Sequence, residues 1–294
     1  MSQTHGSGMV HITRAKFDHI PVWLPPRDEQ ERIVAILEEH LSDLDDATST
    51  LELIDAKSLA MIASARASAV GRAELVGKAS TIGEHAVLVE YGSSQKSHEV
   101  STEGDIPVLR MGNIQRGRLD FSSLKYLSMS AAGVRALLLE RGDLLFNRTN
   151  SAELVGKSAV FDEGMEATFA SYLIRVRFDQ SVLPEWANIV VNSPQGRAHV
   201  ATIASQQVGQ ANVNGTKLKA FPLPLPSRDV QEELVRAFSE IETAAERLRS
   251  QGSRGLGRAQ SLRRALLQAA FSGRLTGQAS DTNVIEELAE EESA

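Results

Sequence analysis

Two stretches of the chain repeat apolar residues at helical spacing, and the stretch between them does not. In the first, Leu37, Leu44 and Leu51 recur at seven, and Ile33, Leu41, Ile54 and Met61 widen the stripe. In the second, Leu234, Phe238, Ile241, Ala245 and Leu248 step alternately by four and three. Apolar positions sustained at this period mark a coiled-coil seam. Each stretch closes on small residues and a Gly-Arg pair, Gly71-Arg72 and Gly273-Arg274. A helix of about 45 residues is about 65 Å long at the usual rise, and such length signals a supercoil more than two amphipathic helices on a globular core. One feature resists. Gly252, Gly255 and Gly257 should each weaken the second helix by about 1 kcal/mol relative to Ala, which predicts a kink or break there.

The intervening residues alternate differently. Ala86–Val89, Pro107–Met111, Asp143–Phe146, Leu173–Phe178 and Phe221–Leu225 read as strands between Gly, Asn and Ser turns, and Ser130–Leu139 and Pro184–Ser193 read as helices. The fold class is therefore α+β: a mixed α/β domain flanked by two long helices.

The chain also repeats itself. Residues 16–39 and 217–240 align at an offset of 201 with ten identities, among them Lys16/Lys217, Pro25/Pro226, Arg27/Arg228, Gln30/Gln231 and Glu31/Glu232. Each copy runs from a Pro-studded stretch into Asp-x-x-Glu and then a helix. Asp28 with Glu31 and Asp229 with Glu232 have the spacing of a helix cap and its reciprocal partner, and the preceding prolines keep the helix from starting earlier.

Composition narrows the class. The chain has 294 residues, 42% hydrophobic and 23% charged, and no cysteine. Disulfides and thiolate chemistry are excluded, and a reduced, cytoplasmic setting is expected. No apolar run reaches the length of a membrane span. The net charge of −7 would argue against a nucleic-acid partner, but it is unevenly spread. Residues 27–78 carry −5 and residues 276–294 carry −6, whereas residues 227–275 carry +3 and residues 79–226 hold 14 basic and 14 acidic side chains. The Glu- and Ala-rich tail is expected to fray or to be disordered.

Three polar bursts interrupt the central stretch: Tyr91-Gly-Ser-Ser-Gln-Lys-Ser97, Asn147-Arg-Thr-Asn-Ser151 and the run from Ser205 to Gly215. Asn, Ser and Gly also build turns. These are nevertheless the types that read DNA: Arg forks onto guanine, Asn and Gln onto adenine, and Lys and Ser hold phosphates. Lys96, Arg110, Arg148 and Lys157 lie near them in sequence. Catalytic signatures are missing: no dinucleotide-binding glycine motif, phosphate loop or nucleophile elbow, no amine-holding Asn/Asp-Pro-Pro-aromatic motif, and no histidines at metal-ligand spacing. Asp143 and Glu153 are acidic, but nothing pairs them as a nuclease site.

The order of Pro-rich entry, long helix, α/β domain, Pro-rich entry and long helix resembles a type I restriction–modification specificity subunit. The likeness is carried by Leu24–Val34 and Leu225–Val235, Tyr91-Gly-Ser-Ser-Gln-Lys96, Pro107–Asn113, Gly142–Asn150 and Gln268–Gly273. It implies a target recognition domain over 79–226 between helices at 27–78 and 227–275 that pair as an antiparallel coiled-coil spacer. It also implies partners: double-stranded DNA, a methyltransferase subunit using S-adenosylmethionine, and a motor-nuclease subunit using ATP and Mg, with no cofactor on this chain. The residues expected on or beside the DNA face are Ser94, Gln95, Lys96, Arg110, Asn113, Arg148, Asn150, Lys157, Gln206 and Gln207. The competing reading is a coiled-coil assembly subunit that no longer reads DNA.

The chain departs from the family in length, for a complete specificity subunit carries two recognition domains. Here residues 1–26 hold a leader, Met1–Gly8, and a segment resembling the end strand of another domain. The chain thus reads as a half-subunit, either the remnant of a truncated gene or a natural short form in which a two-fold homodimer would restore two readers. Its target would then be an inverted repeat with a fixed gap, shorter than two DNA turns of about 34–36 Å each.

Overall fold

The computed structural model describes residues 12–20, 24–130, 133–207 and 210–276. A helical turn, α1 (Arg14–Phe17), precedes the long helix α2 (Arg27–Val76), and α3 (Ile82–His85) follows. Ten strands come next: β1 (Ala86–Tyr91), β2 (Asp105–Leu109), β3 (Ile114–Gln115), β4 (Arg118–Leu119), β5 (Lys125–Ser128), β6 (Asp143–Asn147), β7 (Thr149–Asn150), β8 (Ser158–Phe161), β9 (Thr168–Phe169) and β10 (Leu173–Phe178). Then come α4 (Pro184–Asn192), α5 (Pro194–Ile203), β11 (Ser205–Gln207), β12 (Gln210–Asn212), α6 (Gly215–Lys219) and the second long helix α7 (Arg228–Phe271). The leader and the acidic tail lie outside the described residues. Two compact units result, one of residues 1–58 with 246–294 and one of residues 59–245, and both long helices run through the division.

In the first unit α2 and α7 run antiparallel. Ile33 packs with Ala265, Ala269, Ala270 and Leu275, Asp45 pairs with Arg263, and Asp55 with Arg249 at 2.6 Å. No break interrupts α7, which is helical from Arg228 to Phe271. A Cβ at Gly255 would stand 3.0 Å from Leu51 and one at Gly252 would stand 3.4 Å from Ile54. These two glycines therefore let the helices approach closely, and the packing offsets their poor propensity. The predicted seam also shifts. Ile241 and Leu248 are 37% and 45% exposed, whereas Glu242 is buried and Arg249 half-buried in their stead, each in ion pairs.

Gly71 does not end α2 either, because Ala69, Val70 and Ala73 beside it are buried in the core of the second unit. At the end of α7, by contrast, Gly273 adopts φ 77°, the left-handed cap that glycine favours. The expected Asp-x-x-Glu caps are also replaced. The helices begin at Arg27 and Arg228, so both Asp residues sit inside the first turn, where they suit the helix dipole. Gln30 instead donates back to the Pro25 carbonyl at 2.7 Å, and Gln231 to that of Pro226 at 3.0 Å. Arg27–Glu31 and Arg228–Glu232 are matching ion pairs. The repeat reaches α1, whose counterpart is α6, so the described part of the expected end strand is a helical turn.

The second unit is built on an antiparallel sheet in the order β1-β10-β6-β8, with smaller sheets β5-β2-β9, β11-β12-β7 and β3-β4. Strand β6 is buried on both faces. Leu144 and Phe146 join Trp186, Ile174 and Phe221 on one side, and Leu145 joins Phe161, Phe169 and Leu173 on the other. Asp143 in the same strand is fully buried and answered by Arg177 at 2.8 Å and by the Glu140 amide. That makes it a structural carboxylate.

Two sequence expectations fail here for backbone reasons. Phe221–Leu225 forms only isolated bridges to Lys78 and Thr81, because Pro222, Pro224 and Pro226 remove every second donor. Among the described residues of Ser130–Leu139 only Arg135–Leu137 is helical, as a 3-10 turn. Gly133 takes φ 78°, and the Leu138 carbonyl is left free to accept the buried Arg175 guanidinium at 2.6 Å.

Candidate nucleic-acid interface

The three polar bursts are far apart in sequence and meet in the second unit. Strand β7, from the second burst, pairs with β12 of the third, Thr149 opposite Asn212 and Asn150 opposite Ala211. The Asn212 amide donates to the Thr149 hydroxyl at 2.6 Å. Tyr91, which opens the first burst at the end of β1, accepts the Gly215 N–H on its hydroxyl at 2.8 Å. Its ring lies under the Arg148 guanidinium, 4.7 Å from the centroid. Stacking of this kind orients an arginine and leaves its outer donors for a ligand.

Arg148 is positioned by backbone as well. Its N–H donates to Tyr172 at 3.0 Å and its carbonyl accepts from Val213 at 2.9 Å. Its Nε is buried and makes no hydrogen bond. Tyr91 is 42% exposed, so the cation is anchored on an accessible aromatic ring. Such a group suits bidentate bonds to a guanine edge or a phosphate.

The other sequence-predicted residues fall into three groups. Ser94, Gln95 and Lys96 are exposed on the turn after β1, where the Gln95 N–H donates to Ser93 at 3.2 Å. That loop is anchored further on by Asp105, which accepts from Thr102 and His98 and whose pKa these bonds lower to about 2. Asn150 is half-buried beside Arg148, and its side chain accepts the Ser151 N–H. Arg110 is half-buried just past β2, with an unpartnered buried Nε.

Asn113 is different. It is 3% exposed and bonds the Arg110 amide and the Asp120 and Ser123 carbonyls, so it shapes a turn and is not available on a face. Lys157 is half-buried at the neck of the loop that carries Arg148; its carbonyl accepts the Asn147 N–H at 2.8 Å. Its pKa is lowered by burial, then by Arg197 and Arg116. Gln206 and Gln207 lie in β11, but their side chains are outside the described residues.

Tyr91, Arg116 and Arg197 were not among the sequence-predicted residues. An aromatic opening a polar burst was a usable signal for Tyr91. Nothing local marked the two arginines. Among the described residues no His, Asp or Glu cluster could hold a metal ion, and no helix is long and apolar enough to cross a membrane.

Comparison with known proteins bears on this arrangement. The family model for the type I restriction modification DNA specificity domain matches residues 1–53, which contain the first copy of the repeat. The type I restriction enzyme EcoKI specificity subunit of Escherichia coli strain K12 is 27% identical over 291 residues, covering 94% of this chain and 62% of that protein. The chain is similar to type I specificity subunits over nearly its whole length. The StySPI specificity subunit of Salmonella potsdam is 25% identical over 288 residues, again covering 94% of this chain and 62% of its own. The chain thus spans less than two thirds of the length of these specificity subunits. A solved structure from the type I restriction–modification system superposes with a TM-score of 0.69 over 90% of this chain and 65% of that one. At 17% identity it speaks for the specificity-subunit fold alone.

Proposed function

We propose that the chain is a DNA specificity subunit, which reads part of a bipartite target and directs methyltransferase and endonuclease subunits to it. One observation carries this reading. Three polar segments remote from one another in sequence converge on Arg148, which is stacked on Tyr91 and keeps donors free. A chain that served only to assemble a complex would have no use for such a group.

The chain itself is then non-catalytic and works in the cytoplasm. Methyl transfer from S-adenosylmethionine and the ATP- and Mg-dependent work belong to the partner subunits. Two copies associate through their long helices and supply the second reader. Selection from a random duplex pool, with and without the methyltransferase subunit, tests the reading. A defined sequence motif is expected, and recovery of an unenriched pool would overturn it.

A further inference from the structure

The tip of the β3–β4 hairpin is built against the usual preference of its residues. Arg116 has φ 56°, the only positive value at a non-glycine among the described residues, and Gly117 follows at 90°. A left-handed residue with a long side chain is strained, and Asn or Gly is the ordinary occupant. The surroundings hold it there. Arg66 donates to the Arg116 carbonyl at 3.1 Å, and Asn188 donates to that of Gly117 at 2.8 Å.

Asn188 also accepts from the Ser158 hydroxyl at 2.8 Å, and Ser158 directly follows Lys157. One buried polar network therefore supports both the hairpin tip and the neck of the Arg148 loop. Arg197 fixes the other limb of that loop through the Val155 and Glu153 carbonyls at 2.6 and 2.9 Å. The side chains of Arg116 and Lys157 make no hydrogen bond or ion pair among the described residues. Lys157 feels the charges of Arg197 and Arg116, and backbone strain at a non-glycine residue clusters at functional sites.

We propose that Arg116 and Lys157, backed by Arg197, grip a phosphodiester of the DNA backbone beside the Arg148 loop. The inference rests on the DNA-reading function proposed above and adds a contact independent of sequence. Arg66 and Asn188 are positioning residues for it. Burial, and after it the charges of Arg197 and Arg116, lower the Lys157 pKa, and an anion bound there would offset that repulsion.

The test uses the full chain, a mixed-sequence duplex at several salt concentrations, and thermal melting. Arg116→Gly relieves the backbone strain, so its melting temperature should equal or exceed that of the wild type while DNA affinity falls for every sequence alike. The slope of log K against log salt should shrink by about 0.9 for each phosphate the variant no longer neutralises, in Arg116→Gly and in Lys157→Gln. Preference among sequences should persist in both. If the wild-type chain binds no duplex, the reading function fails. The cluster is then tested by inorganic phosphate, whose stabilising shift in melting temperature both variants should abolish. Unchanged slope and affinity, or, without duplex binding, an unchanged phosphate shift, would overturn the proposal. So would variants that impair only capture of the methyltransferase subunit, which would make this face a protein interface.

Discussion

Arg148 has its backbone held on both sides and its guanidinium laid on Tyr91, so little remains for it to choose except a ligand. Arg148→Ala should blur recognition at one base-pair position by about 1–3 kcal/mol, read by competition among single-substitution duplexes. Tyr91→Phe keeps the stack and loses only the bond to Gly215, whereas Tyr91→Ala loses both. Discrimination should survive the first and fall in the second; equal loss in both would assign the role to the hydroxyl. Asp105 is an anchor of another kind. Its folded pKa of about 2 lies below the ordinary 3.8, so its contribution to stability is present above the ordinary value and is lost as pH falls through about 2. Denaturation midpoints of Asp105→Asn and wild type should therefore differ at neutral pH and converge near pH 2. A constant gap across that range would contradict the assignment.

At the scale of elements, the three glycines of α7 have three different settings. A Cβ at Gly257 meets nothing within 4 Å, so Gly257→Ala should stabilise the chain by about 1 kcal/mol through helix propensity alone. Gly255→Ala gains the same propensity but places its methyl 3.0 Å from Leu51, so it should be neutral or destabilising unless Leu51 yields. Denaturant midpoints of the two variants check the order, and a larger gain at Gly255 would refute close packing there. The same helix separates its charges: all six of its acidic residues precede Arg247, and six of its arginines lie from Arg247 onward. In the first unit two of these arginines answer Asp45 and Asp55 of α2.

For the whole molecule, the proposed pairing of two copies has a direct test. Sedimentation with the methyltransferase subunit should give a complex holding two copies of this chain, and methylation mapping should give an inverted repeat. A complex with one copy, or an asymmetric target, would defeat the dimer. A symmetric site with a variable gap would instead mean that the helices do not set its length.

Long-period information was legible along the chain. Seven-residue spacing marked α2 and α7, strand-like runs between turn residues marked β1, β6 and β10, and the 201-residue offset exposed a duplicated helix entry, because each depends on local geometry that sequence order preserves. The bursts were visible as composition, but their convergence on Tyr91 was not, since it depends on which strands pair. Burial decided the rest. It moved the α7 seam onto Glu242 and Arg249, carried α2 through Gly71, and turned Asn113 from a reader into a turn-former. It also held Arg116 in a conformation its own residue type disfavours. Each of these outcomes rests on partners remote in sequence, and only the folded chain brings them within bonding distance.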